Sequence, residues 1–291
     1  MTSPELALHE AHLRRLAENA LMEDRAWQDV TTAALVPEDQ RGRGVIITKA
    51  PGVLAGLPMA AAVFAVVDGS LVWQPQRQDG DRVSPGDQVA AVEGPLASIL
   101  HGERVALNYL THLSGVATAT ARVVEALQGT GCRLRDTRKT VPGLRTLQKY
   151  AVRVGGGSNH RLNLAEGVLI KDNHLVALRA RGLGIADAVR LARQANPGLT
   201  IEIEVTTVEE ARQALEASAD ELLLDNMALD AMREVVALAA ARDPRPLLEA
   251  SGGITLENAR QVAETGVDLI SMGAITHSAK TLDMSLEVEA L

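Results

Sequence analysis

The sequence predicts an α/β protein with two parts: an incomplete α/β barrel of fewer than eight strands, preceded by an N-terminal mixed α/β sandwich domain. From about Gly131 onward, short β-rich segments alternate with helical patterns. Each repeat takes roughly 20 to 35 residues, which is typical of βα units around a parallel sheet. Six repeats are present, fewer than the eight of a closed barrel. The segment before them combines helices with short strands and Gly-Asp turns, which indicates a small β-rich domain.

The N-terminal domain is predicted to contain a surface helix, two short strands and two further helices. These elements are Pro4–Met22, Val45–Lys49, Leu71–Gln74, Gly102–Leu113 and Val116–Leu127. The last two helices are expected to separate at Ser114–Gly115, because glycine is a frequent breaker of helical patterns. We therefore predict domains at 1–114 and 115–278, and we expect the tail 279–291 to pack back onto the first domain.

Six strands are predicted for the barrel, with helices between the later ones. The strands are Cys132–Asp136, Val168–Lys171, Ile201–Val205, Leu222–Asp225, Leu247–Glu249 and Leu269–Met272. The helices include Val208–Ser218, Leu229–Ala240 and Leu256–Thr265. Each strand is followed by polar or glycine-rich residues. Since barrel enzymes carry their chemistry at the C-terminal ends of the strands, these residues predict an enzyme active site.

Composition excludes several kinds of function. A net charge of -8 and an aromatic content of 2% argue against nucleic-acid binding, which needs a basic surface and side chains that stack on bases. The longest apolar stretches, such as Met59–Val67, are too short to span a membrane, and the N-terminus lacks the pattern of a signal peptide. A single cysteine, Cys132, leaves no intrachain disulfide and indicates the cytoplasm. Because Cys132 opens an apolar strand, we expect a buried structural thiol.

The densest polar segment is predicted to bind anions. It begins at Asp136 and includes Arg138 and Lys139, just before Pro142, which suits the first turn of a helix. An arginine grips a carboxylate or phosphate with two parallel hydrogen bonds, and a lysine adds a mobile point charge. The next repeat adds three donors: His160, Arg161 and Lys171. Together they predict a cationic pocket for a phosphorylated, multiply anionic small molecule.

The helix after this segment carries cations of a different kind. Arg145, Lys149 and Arg153 recur every four residues, opposite Leu147 and Ala151. This pattern is typical of the solvated face of an amphipathic helix, and we interpret the three residues in that way.

A second candidate group is acidic. Glu202 and Glu204 share one face of a predicted strand, and Asp225 ends the next strand. Carboxylates beside a phosphate site commonly hold Mg²⁺ or the hydroxyls of a ribose. The alternative is a set of ion pairs with nearby lysines and arginines. We favour catalysis or metal binding for Glu204 and Asp225, and ion pairing for Glu202.

A third group lies after the last two predicted strands. It consists of Ser251, Gly252 and Gly253, followed by the segment from Gly273 to His277. Glycine allows backbone N–H groups to approach a ligand closely, and a helix is expected from about Leu256. Barrels commonly bind a phosphate at this corner, although ordinary strand-to-helix turns are the alternative.

At these residues the chain resembles the quinolinate phosphoribosyltransferase family. The matching motifs are Asp136-Thr137-Arg138-Lys139-Thr140, Gly155-Gly156-Gly157, Asn159-His160-Arg161, Lys171-Asp172-Asn173-His174, Leu224-Asp225-Asn226, Glu249-Ala250-Ser251-Gly252-Gly253 and Gly102-Glu103-Arg104. The resemblance extends from about Asp29 to Leu286. It departs from the family at Arg25–Gln28, where the family often has a glycine-containing turn.

The resemblance implies an activity. Family members transfer the phosphoribosyl group of phosphoribosyl pyrophosphate to quinolinate, and release pyrophosphate and carbon dioxide. The product is nicotinate mononucleotide, an intermediate of de novo NAD biosynthesis, and the reaction uses Mg²⁺. The resemblance also implies a cytoplasmic homodimer, in which Arg104 enters the active site of the neighbouring subunit.

The resemblance assigns a role to each site residue. Those implied for quinolinate are Arg104, Arg138, His160, Arg161 and Lys171. Lys139 is implied for the phosphoribosyl or pyrophosphate charge, and Glu204 and Asp225 for the ribose hydroxyls and the metal. Those implied for the 5′-phosphate are Ser251, Gly252, Gly253, Gly273 and His277. The catalytic residues would be Lys139, Lys171, Glu204 and Asp225.

Three other kinds of protein share some of these sequence features. A pyrophosphorylase-like relative associated with molybdenum transport would be expected to lose part of the Asn159-His160-Arg161 or Lys171-to-His174 motifs, which are intact. A phosphate-binding barrel isomerase or synthase fits the Gly252-Gly253 corner but does not need four cations. A biotinyl or lipoyl carrier fits the Gly-Asp turns, but Val89–Arg104 contains no lysine to modify.

Overall fold

The structure is a computed structural model that describes residues 8–291. Its α-helices are α1 (Glu10–Asp24), α2 (Val30–Leu35), α3 (Leu57–Val67), α4 (Leu96–Ala126), α5 (Arg145–Val154), α6 (Asp172–Arg179), α7 (Ile185–Ala195), α8 (Val208–Glu216), α9 (Leu229–Ala240), α10 (Ala259–Ala263) and α11 (Ala274–His277). Its strands are β1 (Arg41–Thr48), β2 (Gly52–Val53), β3 (Val72–Pro75), β4 (Arg82–Val83), β5 (Gln88–Pro95), β6 (Arg133–Arg135), β7 (Val168–Ile170), β8 (Ile201–Val205), β9 (Glu221–Asp225), β10 (Leu247–Ser251), β11 (Leu269–Ser271) and β12 (Met284–Ala290).

The chain divides into two compact units. Among the described residues, the first unit contains 8–121, 141–156 and 275–291, and the second contains 122–140 and 157–274. The segment that carries α5 therefore belongs to the first unit, although in the sequence it comes between β6 and β7, which belong to the second unit. Among residues 8–291, no helix has the length and apolar character needed to cross a membrane.

The first unit is built around a four-stranded antiparallel sheet in the order β12-β1-β5-β3. Its apolar core includes Ile46, Val89, Leu110 and Met284, all buried. Ile46 of β1 lies opposite Ala90 of β5 and Leu286 of β12. The C-terminal strand β12 therefore covers one edge of β1.

Asp29 organises the N-terminal part of the first unit. Its carboxylate accepts hydrogen bonds from the backbone N–H groups of Thr31 and Thr32 and so caps α2. Side-chain and backbone bonds from Thr32 are the main reason that the pKa of Asp29 is lowered. The preceding Arg25 has a left-handed backbone with φ 52°, and a short 3-10 helix, Ala26–Gln28, connects it to the cap. A non-glycine residue thus makes this left-handed turn.

The second unit contains six parallel strands in the order β6-β11-β10-β9-β8-β7. The strands β6 and β7 lie at the two ends of this order and are not paired with each other. Beyond β6, a single parallel bridge joins Arg135 to Ser158. This open arrangement confirms the predicted incomplete barrel, and all six predicted strands are present.

Two predicted helix boundaries are wrong. The helices expected at Gly102–Leu113 and Val116–Leu127 are one continuous helix, α4. Its Gly115 is needed for packing, since a Cβ there would lie 2.2 Å from the backbone oxygen of Lys280. Pro142 was expected in the first turn of a helix, but it lies in a turn before α5 begins at Arg145. The helix expected from Pro4 begins at Glu10 within the described residues, and Pro4 itself lies outside them.

We predict that Gly115→Ala destabilises the protein by about 1–3 kcal/mol, because the added methyl group overlaps the Lys280 carbonyl. The free energy of unfolding, measured by urea denaturation, checks this value. Gly69→Ala is the control, because a Cβ at Gly69 has no atom within 4 Å. Equal stabilities of the two variants would contradict the packing role of Gly115.

Candidate active site

A cavity of about 310 Å³ opens at the C-terminal ends of the six parallel strands. This volume is within the usual range for small-molecule sites, which begins at about 300 Å³. Every lining residue belongs to the second unit: Asp136, Thr137, Arg138, Lys139, His160, Arg161, Leu169, Lys171, Glu204, Leu223, Asp225, Glu249, Ser251 and Ser271. The structure thus brings together eight of the residues predicted from sequence: Arg138, Lys139, His160, Arg161, Lys171, Glu204, Asp225 and Ser251.

The other predicted site residues do not line this cavity. Gly252, Gly253 and Gly273 are in the second unit, just after β10 and β11. Arg104 and His277 are in the first unit. The Arg104 side chain is 67% exposed on α4, and His277 ends α11 with its Nδ1 atom 2.6 Å from the Ser278 hydroxyl.

Asp136 positions the loop that carries two of the cations. It is fully buried at the end of β6, and its carboxylate accepts bonds from Asn159 Nδ2 at 2.6 Å and from the His160 backbone N–H at 2.9 Å. The backbones add two bonds, Ser158 N–H to the Leu134 oxygen and Asp136 N–H to the Ser158 oxygen. The segment from residue 158 to 160 is therefore fixed against β6.

Arg138 and Arg161 place two guanidinium groups with unused donors in the cavity. The Nε atom of each is buried and has no hydrogen-bond partner among residues 8–291. Arg161 donates through Nη1 to the Gly167 carbonyl oxygen at 2.7 Å. Burial and, secondly, the charge of Arg138 lower the pKa of Arg161. Two like charges with buried, unused donors favour a ligand with more than one negative charge.

Lys171 and Glu204 form an ion pair, with Nζ and Oε2 separated by 2.6 Å. The Lys171 side chain is half exposed, whereas that of Glu204 is largely buried. On the next strand, Asp225 accepts a hydrogen bond from Asn226 Nδ2 at 2.8 Å. Glu204 and Asp225 thus present carboxylate oxygens from adjacent strands into one cavity, a donor type that suits Mg²⁺.

A buried ionic network, formed by Arg135, His160, Glu202, Glu221 and Glu249, lies at the base of the cavity. Arg135 Nη1 donates to Glu221 Oε2 at 2.9 Å and to Glu249 Oε2 at 2.6 Å. His160 Nε2 lies 2.7 Å from Glu202 Oε2. Glu202 Oε1 is buried and has no partner among the described residues.

Burial and charge change the ionisation of this network. Burial lowers the pKa of Arg135, but the Glu249 and Glu221 carboxylates outweigh it and raise that pKa above its usual value. The pKa of Glu249 is raised to about 7, first by burial and then by the charge of Glu202, while Arg135 and His160 oppose the rise. Glu249 therefore holds a proton for part of the time at neutral pH.

Within the described part of the chain, His160, Glu202 and Glu249 are spaced closely enough to hold a metal ion, with one ligand atom of each within 4.8 Å of the others. However, Arg135 already bonds to Glu249 and the His160 ring bonds to Glu202. A cation placed there would lie beside a buried guanidinium charge. We therefore interpret this cluster as an internal ion network rather than a metal centre.

Sequence reasoning missed Arg135, Glu221 and Glu249, and it interpreted Glu202 without identifying its partner. A signal was available, since Glu202 and Glu249 interrupt otherwise apolar strands of a buried parallel sheet. Buried carboxylates require a buried cation or a proton. Their pairing required the strand register, which sets Glu202 opposite Glu221.

Cys132, Lys149 and the helix expected from about Leu256 were also predicted from the sequence. Cys132 is buried, as predicted, and burial raises the pKa of its thiol to about 12. Lys149 was expected on a solvated face, but it is 1% exposed, so that prediction is wrong. The helix expected from about Leu256 begins only at Ala259 and has five residues, so it offers no helix N-terminus directly after Gly253.

Gly252 is required by the turn after β10. Its φ is +86°, and a Cβ would lie 2.3 Å from Asn226 Oδ1. The Asn226 backbone N–H in turn donates to the Ser251 carbonyl oxygen at 2.9 Å. The close contact with Asn226 therefore requires a glycine at position 252. Asn226 in turn donates a side-chain hydrogen bond to Asp225.

The fold and the cavity together define an open-barrel enzyme with a site for small anionic molecules. Residues 29–114 match "Quinolinate phosphoribosyl transferase, N-terminal domain", and residues 116–287 match "Quinolinate phosphoribosyl transferase, C-terminal domain". The chain belongs to the quinolinate phosphoribosyltransferase family.

Individual relatives are similar over nearly their whole length. The nicotinate-nucleotide pyrophosphorylase [carboxylating] of Mycobacterium leprae (strain TN) is 43% identical over 279 residues, which are 94% of this chain and 96% of the relative. The Homo sapiens protein of the same name is 41% identical over 288 residues, 98% of this chain and 94% of the relative. Among solved structures, the nicotinate-nucleotide pyrophosphorylase from Francisella tularensis has a TM-score of 0.91 at 36% identity, and covers 99% of this chain and 100% of that one.

We predict that Arg135→Met lowers the free energy of unfolding at pH 7.5 by about 3–5 kcal/mol, because it leaves the buried Glu249 and the partly buried Glu221 without their cation. Urea denaturation measures the loss. Arg133→Met is the matched control, since Arg133 is exposed two residues earlier on the same strand, and it should change stability by less than about 0.5 kcal/mol. A loss no larger than that of the control would show that Arg135 does not support the network.

Proposed function

We propose that this enzyme transfers the phosphoribosyl group of phosphoribosyl pyrophosphate to quinolinate and removes one carboxylate as carbon dioxide. The other products are nicotinate mononucleotide, which is used in de novo NAD biosynthesis, and pyrophosphate. The observation that carries the proposal is the pair Arg138 and Arg161, with buried, unpartnered Nε atoms in one cavity. Together with His160 and Lys171 they match a small dicarboxylate, which would neutralise their mutual repulsion.

The remaining cavity residues are proposed to bind the phosphoribosyl donor. Lys139 and Lys171 contribute positive charge near the pyrophosphate and the carboxylates. Glu204 and Asp225 lie on adjacent strands and are proposed to bind the ribose hydroxyls. The residues proposed for the 5′-phosphate are Ser251, Gly252, Gly253, Gly273 and His277.

Mg²⁺ is proposed as the cofactor, held by Glu204 and Asp225 in part through water and substrate. The donor set fits, because both residues offer carboxylate oxygens to the same cavity and Lys171 engages only one oxygen of Glu204. When bound, the ion would neutralise charge on the pyrophosphate.

The charges of the cavity suit the chemistry of phosphoribosyl transfer. As the bond to pyrophosphate breaks, positive charge develops on the ribose. Glu204 and Asp225 would stabilise that charge, while Lys139 would stabilise the departing anion. Arg138 and Arg161 would bind the quinolinate carboxylates so that the ring nitrogen faces the ribose. Holding the two reactants in this orientation lowers the barrier to reaction.

The enzyme is proposed to act as a cytoplasmic homodimer in which Arg104 enters the neighbouring subunit's site. The exposure of Arg104 supports this, since its guanidinium is available and its nearest carboxylate, Glu103, lies at 4.0 Å. The buried, protonated thiol of Cys132 is compatible with a reducing compartment.

We expect purified protein with Mg²⁺ and phosphoribosyl pyrophosphate to release carbon dioxide from quinolinate labelled in the carboxylate next to the ring nitrogen. Nicotinate, which lacks that carboxylate, should release none. Trapped label is the measurement, and absence of turnover with quinolinate would refute the proposed function.

One pair of variants connects this assay to the cavity. Arg161→Lys should raise the KM for quinolinate about 10- to 100-fold, because a charge-assisted hydrogen bond contributes about 1.5–3 kcal/mol. Arg153→Lys, at an exposed position on α5, should leave the KM unchanged. Equal KM values for the two variants would remove Arg161 from the proposed site.

The shared site predicts complementation between chains. Arg104→Ala and Lys139→Ala proteins should each be inactive, whereas a mixed dimer regains one intact site. Carbon dioxide release is measured after the two proteins are mixed under conditions that exchange subunits, with each protein mixed with itself as the control. No recovery of activity would indicate a site formed within one chain.

A further inference from the structure

Glu249 lies in the candidate site, yet the proposed function gives it no role. It lies on β10, lines the cavity and is 1% exposed. Its Oε2 atom accepts a bond from Arg135 Nη1 at 2.6 Å. An acid that lines a cavity is placed to exchange a proton with a ligand that binds there.

Three carboxyl groups lie close together in the network around Glu249. They are Glu202, Glu221 and Glu249, and the cationic groups beside them are Arg135 and His160. From the cavity wall, the Arg161 guanidinium also acts on the Glu202 charge. Carboxyl groups that are buried close to one another favour protonation of one of them.

Glu249 is the carboxyl group that takes this proton. Burial and the charge of Glu202 raise its pKa to about 7, against the opposing effects of Arg135, His160 and a hydrogen bond with Ser271. The unpartnered Glu202 Oε1 atom is buried in the same cluster, whose ligand atoms lie within 4.8 Å of one another.

The proposed reaction needs a proton at one defined atom. When the carboxylate next to the ring nitrogen leaves as carbon dioxide, the carbon–carbon bond breaks and its electron pair stays on the ring carbon. That carbon must then form a bond to hydrogen.

We propose that the Glu249 carboxylic acid donates this proton to the ring carbon. The electron pair left by carbon dioxide forms the new C–H bond, and Glu249 becomes a carboxylate paired with Arg135. Solvent water then returns a proton to Glu249 after the product leaves the open cavity. This inference rests on the proposed function, because the proton is needed only if quinolinate loses carbon dioxide.

The test is Glu249→Gln, which keeps the size of the side chain and removes the acid. Its kcat for carbon dioxide release should fall about 10²- to 10⁴-fold, the usual contribution of a general acid. The KM values for both substrates should change by less than about threefold, because binding is by other residues. Since a proton donor works only while protonated, wild-type kcat should fall as the pH rises through about 7, and Glu249→Gln should lack this decline.

Two further variants separate proton donation from a structural role. Glu221→Gln is the matched control, because Glu221 shares Arg135 but does not line the cavity. At a pH where Glu249 stays protonated, it should retain kcat within about threefold. Its decline in kcat should move to lower pH, because one neighbouring negative charge is removed and Arg135 pairs with Glu249 alone. Glu249→Asp keeps an acid and should recover part of the activity lost in Glu249→Gln. Thermal unfolding shows whether each variant is folded.

The outcomes are distinct. If wild-type enzyme releases no carbon dioxide from quinolinate, the proposed function fails. If wild type is active but Glu249→Gln keeps kcat within about tenfold, or Glu221→Gln loses as much at a pH below its own decline, proton donation by Glu249 is overturned. Should Glu249→Gln not fold, a wild-type kcat that stays constant from about pH 6 to 9 would overturn it equally, because the donor titrates in that range.

Discussion

The structure of the site depends on one buried guanidinium, that of Arg135. It comes from β6, at one end of the six-stranded order, and binds carboxylates on β9 and β10. Glu221 and Glu249 are on parallel strands of the buried sheet, where an unpaired carboxylate would be costly. The ion network therefore joins strands that are not neighbours in the sheet, and it forms the floor on which the cavity is built.

Above this floor, the cavity has the opposite electrostatic character. The network is close to neutral once Glu249 carries its proton, whereas Arg138 and Arg161 repel each other in the cavity wall. The Asp136 carboxylate fixes the neighbouring loop, because it accepts hydrogen bonds from the His160 backbone N–H and the Asn159 side chain. Unbalanced positive charge is thus fixed in place before a ligand arrives, so an anionic ligand does not have to reorganise the protein.

Much of this was accessible from sequence. The six strands were predicted from their β-rich periodicity, and the cations that line the cavity from their position at strand ends. Gly115 was misinterpreted because a close backbone contact leaves no local signal in a helical pattern. Lys149 was misplaced for a similar reason, since helical periodicity does not reveal which cations are buried. The role of Glu249 depends on strand register and burial, which only the structure provides.

The pairing of β12 with β1 has a consequence for biosynthesis. Lys49, which directly follows β1, forms an ion pair with Glu287 of β12, although 238 positions separate them in the chain. While the ribosome is still making the intervening segment, β1 can pair with β5 but has one open edge. An open, apolar strand edge promotes association with other chains. The nascent protein therefore exposes this edge of β1 to association with other chains until β12 has been made.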